Sequence, residues 1–132
     1  MSANMFIGRF QPPHKGHQAI FNTYLDKGEP ILIAIRNVPT DEKNPLTALQ
    51  VYYLWKEIYR DNALVQIMVI PDIKSVNYGR DVGYAVNEIE APKEIQRISA
   101  TFIRDEIKSG KTNWKNYVDS SVWDAIQQIL LK

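Results

Sequence analysis

The sequence has no cysteine, no long apolar run and almost no excess of charge. Without cysteine, the chain forms no disulfide and carries no thiolate chemistry. No apolar run approaches the roughly 20 residues that span a bilayer, and the start lacks the basic stretch and apolar segment of a signal peptide. We therefore expect a cytoplasmic protein that does not enter a membrane.

The charge balance also limits the partners. The chain has 16 Lys+Arg against 15 Asp+Glu, a net charge of +1, whereas nucleic-acid binding normally needs a basic surplus. We expect no nucleic-acid partner, so any anionic ligand must be held by a local cluster of positive groups. The length of 132 residues predicts one domain over residues 1–132.

Apolar runs alternate with helical periodicity along most of the chain. Such alternation predicts an α/β fold of the doubly wound kind, with an open parallel sheet and helices on both faces. The predicted strands are Met5–Ile7, Pro30–Ile35 and Leu64–Ile70, with weaker candidates at Val76–Tyr78 and Tyr84–Val86. The predicted helices run from Lys15 to near Gly28, from Thr47 onward, from Ser99 to Gly110, and from Asp119 or Ser120 to Leu131.

The loop from Gly8 to His17 follows the first predicted strand, where open parallel sheets bind their ligands. Gly8 and Gly16 permit close backbone approach, and the start of the next helix offers free amides to an anion. Arg9, His14, Lys15 and His17 add four potential cationic donors. The three-residue spacing of the two histidines predicts that they point roughly the same way.

Other interpretations of the histidine pair remain open at this point. The loop could be a capped surface turn, or one histidine could be buried to satisfy a backbone group. A metal site lacks a third ligand of clear spacing.

The segment Gly-Arg-Phe-Gln-Pro-Pro-His-Lys-Gly-His resembles the His-x-Gly-His signature of the nucleotidylyltransferase (cytidylyltransferase-like) superfamily. It is most similar to the loop of archaeal-type nicotinamide mononucleotide adenylyltransferases, with Pro13 in place of their phenylalanine. Asn44 to Ala48 and Pro71 to Ile73 also resemble segments of that family. The resemblance implies a Rossmann-like fold.

A second segment, Ile98 to Arg104, resembles the family signature Ile-Ser-x-Thr-x-Ile-Arg. The residues alone predict an anion site, because Ser99 caps a helix whose first amides are free and Arg104 lies one turn inside, on the side of Thr101. Without the resemblance, such a segment is more often a simple helix cap.

The resemblance implies transfer of a nucleotidyl group, most simply adenylyl, from ATP or another NTP with Mg²⁺ to a phosphorylated small-molecule acceptor such as nicotinamide mononucleotide. The implied catalytic residues are His14, His17, Lys15 and Arg104. The implied nucleotide-binding residues are Ile7, Gly8, Arg9, Phe10, Gln11, Gly16, Ile98, Ser99 and Thr101. Arg36, Asn44, Tyr78 and Arg80 are candidates for the acceptor site.

The chain departs from the family between Pro71-Asp72-Ile73 and Gly83-Tyr84, where archaeal-type relatives have an additional helix and strand. This part helps to select their second substrate, so the acceptor is open. Two alternatives also stay open: a cytidylyltransferase acting on a phosphorylated alcohol, and an ATP-binding module without catalysis. Assembly into a homo-oligomer is a further expectation, with Tyr52, Tyr53, Trp55 and Tyr59 as a candidate contact surface.

Overall fold

A computed structural model describes residues 2–96 and 98–132; within them, the side chains of residues 94 and 96 are not described. The described part contains three parallel strands in the order β1-β2-β3: β1 (Asn4–Gly8), β2 (Ile31–Asn37) and β3 (Val65–Pro71). Five helices accompany them: α1 (Lys15–Leu25), α2 (Ala48–Ile58), α3 (Lys93–Gln96), α4 (Ala100–Lys108) and α5 (Trp123–Leu130). Short 3₁₀ turns at Asn113–Tyr117 and Ser120–Val122 lead into α5. The predicted Rossmann-like parallel sheet is confirmed.

The apolar core lies on one face of this sheet. Phe6, Ile33 and Ile67 occupy the same register position on the three strands, and all three contribute to a cluster that includes Phe21 of α1 and Trp55 of α2. Parallel crossovers are almost always right-handed, so two successive crossovers in one direction place α1 and α2 on the same face. Residues of α4 and α5 belong to the same cluster.

Helices were predicted on both faces of the sheet, and in the described part of the chain they cover one face. On the opposite face, Met5, Ile7 and Met68 keep 54%, 36% and 43% of their surface exposed. The chain that follows β3 has no helix before α3, so no described helix returns across this face between them.

The short strands predicted at Val76–Tyr78 and Tyr84–Val86 are wrong for this structure. Both segments lack strand pairing and are exposed. A strand requires a neighbouring strand to accept its backbone hydrogen bonds, and in the described residues neither segment has one. The alternation of apolar and polar residues alone could not show that a partner strand is missing.

Helix starts and ends follow the predicted capping residues. Thr47 caps α2 through a capping box with Gln50, and Ser99 accepts the amide of Phe102 at the start of α4. Gly110 adopts a left-handed φ of 75° just beyond α4, a conformation that favours glycine. The last helix begins at Trp123, later than predicted, because Asp119 caps the preceding 3₁₀ turn instead.

Candidate nucleotide-binding site

His14 and His17 lie together at the start of α1, as their spacing predicted. Their rings are stacked, with centroids 3.7 Å apart and planes inclined by 20°. Each ring accepts one backbone hydrogen bond at Nδ1: Gly16 N–H donates to His14 at 3.0 Å, and His14 N–H donates to His17 at 3.1 Å. This reciprocal capping box holds both rings in one orientation.

The same hydrogen bonds determine where each ring carries its proton. An Nδ1 atom that accepts an N–H bond has no proton, so a neutral ring must carry its proton on Nε2. Neither Nε2 atom forms a hydrogen bond among the described residues. Neither is among the fully buried side-chain N and O atoms that lack a hydrogen-bond partner there. Both histidines therefore present an N–H donor to a ligand.

Burial keeps both rings neutral. It lowers the pKa of His14 from 6.5 to about 4. Burial, and in second place repulsion from His14 when that ring is protonated, lowers the pKa of His17 well below 6.5. Of the four potential cationic donors predicted, Arg9 and Lys15 are therefore the cations, and at neutral pH the histidines of the free protein are uncharged donors.

The glycine between the histidines leaves room for the His14 ring. A Cβ atom at Gly16 would lie 2.7 Å from Cε1 and 2.8 Å from Nδ1 of His14, closer than real Cβ contacts. Gly8 has the same relation to Phe10, whose ring would lie 2.8 Å from an added Cβ. Phe10 is buried and adopts a left-handed φ of 54°, which costs a bulky residue about 1–3 kcal/mol.

The side chain of Gln11 joins this loop to the segment before α2. Its amide donates to the carbonyl of Leu46 at 2.9 Å and accepts from the Leu46 N–H at 2.8 Å. Gln11 is buried. The predicted nucleotide contact of Gln11 is therefore not available to its side chain, both ends of which hold the loop in place.

The second motif meets the first through Arg104. Its Nη1 donates to the carbonyl of Gln11 at 2.7 Å, across 93 positions of the chain, and its Nη2 donates to Thr101 Oγ1 at 3.4 Å. The side chain is buried, yet no described carboxylate forms an ion pair with it. Ile98 lies beside Gly16, since an added Cβ there would be 3.7 Å from Cβ of Ile98.

The N-termini of α1 and α4 thus converge on one region. Ser99 uses its hydroxyl as a cap, and the first amides of α4, at Ala100 and Thr101, have no acceptor within the helix. A buried arginine without a carboxylate, two helix N-termini and two imidazole N–H groups form a set of donors suited to a multiply charged anion.

The other predicted residues lie around this centre with different partners. The pKa of Asp41 is lowered mainly by hydrogen bonds from Asn44 and in small part by the positive charge of Arg9, so exposed Arg9 lies near this carboxylate. Exposed Lys15 lies near Asp119: burial acts to raise the pKa of that carboxyl, but hydrogen bonds from Ser121 and Gln18 and the charge of Lys15 lower it overall. Ile7 places its side chain on the open face of the sheet and can offer the site only its backbone.

The acceptor candidates are not gathered into one site. Arg36 pairs with Asp72 at 2.6 Å and donates to the carbonyl of Ile73. Asn44 donates its side-chain amide to Asp41 at 3.1 Å. Tyr78 and Arg80 are exposed, and no described contact connects them with the histidines.

Two contributors were missed from the sequence. Trp55 was assigned to a candidate contact surface between copies, but it is fully buried within the chain, and its ring lies edge-on to Phe10 at 5.4 Å and to His17 at 6.0 Å. Asp41 accepts the backbone amides of Lys43 and Asn44 and shapes the loop before α2. The Asp-x-x-Asn spacing was the available signal for Asp41, while Trp55 gave no signal beyond its apolar character.

In the described residues, no helix is long and apolar enough to cross a bilayer. A protein-family model described as cytidylyltransferase-like matches residues 5–51, the part that carries the paired histidines.

Three relatives extend the similarity to nearly the whole chain. The nicotinamide-nucleotide adenylyltransferase of Pyrobaculum arsenaticum is 26% identical over 159 aligned positions, covering 98% of this chain and 89% of the relative. The enzyme of the same name from Methanoculleus marisnigri is 25% identical, covering 98% and 92%. That of Caldivirga maquilingensis is 24% identical, covering 98% and 89%.

The alignment lengths also bear on the predicted shortening. An alignment of 159 positions with a chain of 132 residues leaves at least 27 positions that face gaps in this chain. Residues 5–51 are thus similar to the cytidylyltransferase-like family, and nearly the whole chain is similar to nicotinamide-nucleotide adenylyltransferases, with these alignment positions missing from it.

Proposed function

We propose that this protein transfers a nucleotidyl group, most simply adenylyl from ATP, to a phosphorylated small-molecule acceptor and releases pyrophosphate. The observation that carries the proposal is that the stacked rings of His14 and His17 and the guanidinium of Arg104 belong to one loop region, since Arg104 donates to the carbonyl of Gln11 in the loop that carries both histidines. Arg104 is buried without an ion-pair partner among the described side chains, so a triphosphate supplies the counter-charge that the site lacks.

The proposed reaction needs donors and no protein nucleophile. A phosphate oxygen of the acceptor attacks the α-phosphorus of the nucleotide, the bond from that phosphorus to the bridging oxygen breaks, and pyrophosphate leaves with the electron pair. Charge then develops on the α-phosphoryl and leaving oxygens, where preorganised N–H groups lower the barrier. We assign His14 and His17 to these oxygens.

The remaining residues are assigned to the nucleotide by their position. Arg104 and Arg9 hold the triphosphate from opposite sides, and Lys15 holds its β- and γ-phosphates. The free amides at the start of α4, which Ser99 caps, bind phosphate oxygens through the helix dipole. The backbone from Ile7 to Phe10 and that near Ile98 contact the adenine.

Magnesium enters with the nucleotide in this proposal. The described residues contain no group of three or more histidine or acidic side chains that could hold a metal ion. Mg²⁺ commonly binds through substrate phosphates and keeps several waters, and in the complex with the nucleotide it neutralises part of the phosphate charge.

The acceptor that the relatives' names suggest is nicotinamide mononucleotide. Of the four candidate acceptor residues, Arg36 lies at the carboxyl end of β2 and Asn44 before α2, at the edge of the sheet that carries the histidine loop. Both side chains already have partners, so we propose that they bind the acceptor only through their remaining hydrogen-bonding capacity. Tyr78 and Arg80 contact it if their segment moves toward the loop.

The test is pyrophosphate release by the full chain with ATP or CTP and magnesium, against nicotinamide mononucleotide, phosphopantetheine and glycerol 3-phosphate. We expect release with ATP and nicotinamide mononucleotide, with the dinucleotide as second product. Release with CTP and a phosphorylated alcohol would overturn the adenylyl assignment but keep nucleotidyl transfer. ATP binding without release against any acceptor would overturn the enzymatic proposal and favour a nucleotide-binding module.

A further inference from the structure

The side chain of Arg36 is held in one orientation at the carboxyl end of β2. Its Nε and Nη2 atoms both donate to Oδ1 of Asp72, at 3.1 and 2.6 Å, and Nη2 also donates to the carbonyl of Ile73 at 3.1 Å. Asp72 and Ile73 directly follow β3, so the end of the neighbouring strand fixes the guanidinium plane. A long side chain that is already ordered loses little rotamer freedom when it binds a ligand.

These three bonds leave one nitrogen of the guanidinium for a ligand. An arginine has five N–H donors, and the bonds to Asp72 and Ile73 use the one on Nε and both on Nη2. The two N–H groups of Nη1 have no acceptor among the described residues. The side chain of Arg36 is only 24% exposed, so water shields these donors in part, and a charge-assisted hydrogen bond made there gains strength.

The register of the sheet places Arg36 next to the histidine loop. Gly8 of β1 is the partner of Ile35 of β2, so Arg9 and Arg36, each one residue further along, stand at the ends of neighbouring strands. Neighbouring strands are about 4.8 Å apart. Arg36 therefore lies at the end of the sheet that carries the loop, and it is not among the donors that we assign to the triphosphate.

The chain that follows Ile73 offers little to enclose the uncharged part of an acceptor. Between Ile73 and α3, the described residues form no helix or strand. Tyr78 and Tyr84 in this stretch are 63% and 56% exposed. Binding of a phosphorylated acceptor at this edge of the sheet therefore depends mainly on its charged end, and a fixed arginine is the residue type suited to that end.

We propose that Nη1 of Arg36 binds the phosphate of the acceptor and that Asp72 is the residue that positions it. The inference rests on the proposed function, in which this phosphate supplies the attacking oxygen. Arg36 donates to an oxygen that does not attack, and its charge reduces the repulsion between the acceptor phosphate and the triphosphate. Because Asp72 orients the guanidinium before the acceptor arrives, the acceptor is aligned with the α-phosphorus without further ordering of the protein.

The first test separates the acceptor from the nucleotide in the steady-state kinetics of pyrophosphate release with ATP and nicotinamide mononucleotide. In Arg36→Gln, kcat/KM for the acceptor should fall about tenfold or more, while KM for ATP stays close to that of the wild type. Asp72→Asn should lower the same kcat/KM, because a neutral amide holds the guanidinium less firmly. A partly exposed ion pair contributes little to stability, so Asp72→Asn should unfold at the wild-type temperature.

Arg60→Gln is the matched control. Arg60 also pairs with a carboxylate, that of Glu57 at 3.3 Å, but it lies beyond the end of α2 and takes no part in the proposed site. This variant should leave both kinetic constants unchanged. Equal losses for ATP and for the acceptor in Arg36→Gln, or no loss for either, overturn the proposal.

The second test needs no turnover, so its failure is distinct from failure of the proposed function. The full chain is saturated with magnesium and a non-reacting methylene analogue of ATP, and inorganic phosphate is then added while the arginine Nε–H signals are followed by NMR. The signal of Arg36 is identified by its loss in Arg36→Gln. We expect phosphate to shift this signal and to leave that of Arg60 in place.

The two tests together decide each proposal separately. A chain that releases no pyrophosphate with any acceptor, but shows the phosphate-dependent shift of Arg36, loses the enzymatic proposal and keeps the phosphate subsite. A chain in which phosphate leaves the Arg36 signal unchanged overturns the subsite, whether or not the chain is an active enzyme.

Discussion

A substitution of His17 can remove the Nε2–H donor and keep the hydrogen bond that the side chain accepts at the start of α1. Asparagine places an acceptor oxygen near the position of Nδ1 but has no group near Nε2, so His17→Asn should keep the hydrogen bond from His14 N–H and lose the donor. By analogy with the loss of one transition-state donor, we expect kcat to fall by about 10²–10³. The measurement is steady-state pyrophosphate release, with thermal unfolding to establish that the variant is folded.

Glutamine provides the matched comparison at the same position. Its longer side chain places an amide N–H near the position of Nε2, so His17→Gln should retain more turnover than His17→Asn. Equal activities of the wild type and His17→Asn would contradict the assignment of His17 as a donor to the substrate.

Gly16 offers a second test at the scale of one residue. In Gly16→Ala, the new Cβ would lie 2.7 Å from the His14 ring, so the ring must move and the Nδ1 hydrogen bond must lengthen. We expect a loss of about 1–3 kcal/mol in the free energy of unfolding and a fall in turnover of more than tenfold. Urea unfolding and pyrophosphate release measure the two effects.

Gly79→Ala is the control for that substitution. An added Cβ at Gly79 meets nothing within 4 Å, so stability and turnover should remain close to those of the wild type. If the two alanine variants behave alike, the close contact between Gly16 and His14 does not determine the geometry of the loop.

The spacing of the histidines predicted that their rings share one side of α1, because positions three apart are neighbours on a helix. Their charge state could not be predicted, since it depends on burial by segments distant in sequence, such as Trp55 of α2 and Ile98. From the sequence, both histidines counted among four potential cationic donors, whereas burial in the folded protein lowers the pKa of each and makes both neutral donors.

At the scale of elements, the Gln11 side chain connects the histidine loop with the entry to α2. In Gln11→Ala, the buried N–H and C=O of Leu46 lose their partners, and each unsatisfied group costs about 1–3 kcal/mol. We expect a loss of about 2–4 kcal/mol in the free energy of unfolding, measured by urea titration. Gln66→Ala, at an exposed position of β3, should change stability far less.

Strong local signals made several regular elements predictable: β-branched apolar runs for β2 and β3, and capping residues for α2 and α4. Gln11 was placed in the motif but not in its structural role, because its partner is 35 positions away. The strands predicted at Val76–Tyr78 and Tyr84–Val86 are wrong for the same kind of reason: an alternating pattern indicates which side chains share an apolar face, but not whether a partner strand is present.

At the scale of the whole molecule, the buried histidines make stability depend on pH. The pKa of His14 is about 4 in the folded protein and near 6.5 when unfolded, so between these values the unfolded chain binds the proton more strongly. The contribution of His14 to the free energy of unfolding is therefore fully present above pH 6.5. It is lost as the pH falls to about 4, a decline of roughly 3 kcal/mol from His14 alone. His17 acts in the same direction. Urea unfolding between pH 7 and pH 4.5 should show the decline.

His14→Asn isolates this contribution, because asparagine can accept the Gly16 N–H but does not titrate. The variant should lose less stability than the wild type over the same pH interval. Asp41 and Asp119 have pKa values lowered from 3.8, so their effects on the free energy of unfolding appear at pH values below this interval. A variant with the same pH dependence as the wild type would show that another group is responsible.

The backbone bonds to the two Nδ1 atoms have a consequence for metal selectivity. Two histidines three positions apart would ordinarily be suspected of binding zinc or copper, which require an imidazole nitrogen with a free lone pair. Here the lone pair of each Nδ1 atom accepts a backbone amide. The ring proton is therefore on Nε2, so that nitrogen has no free lone pair for a metal either. Coordination of a transition metal would first have to break the helix cap, so the fold itself protects this pair of histidines from adventitious metal ions.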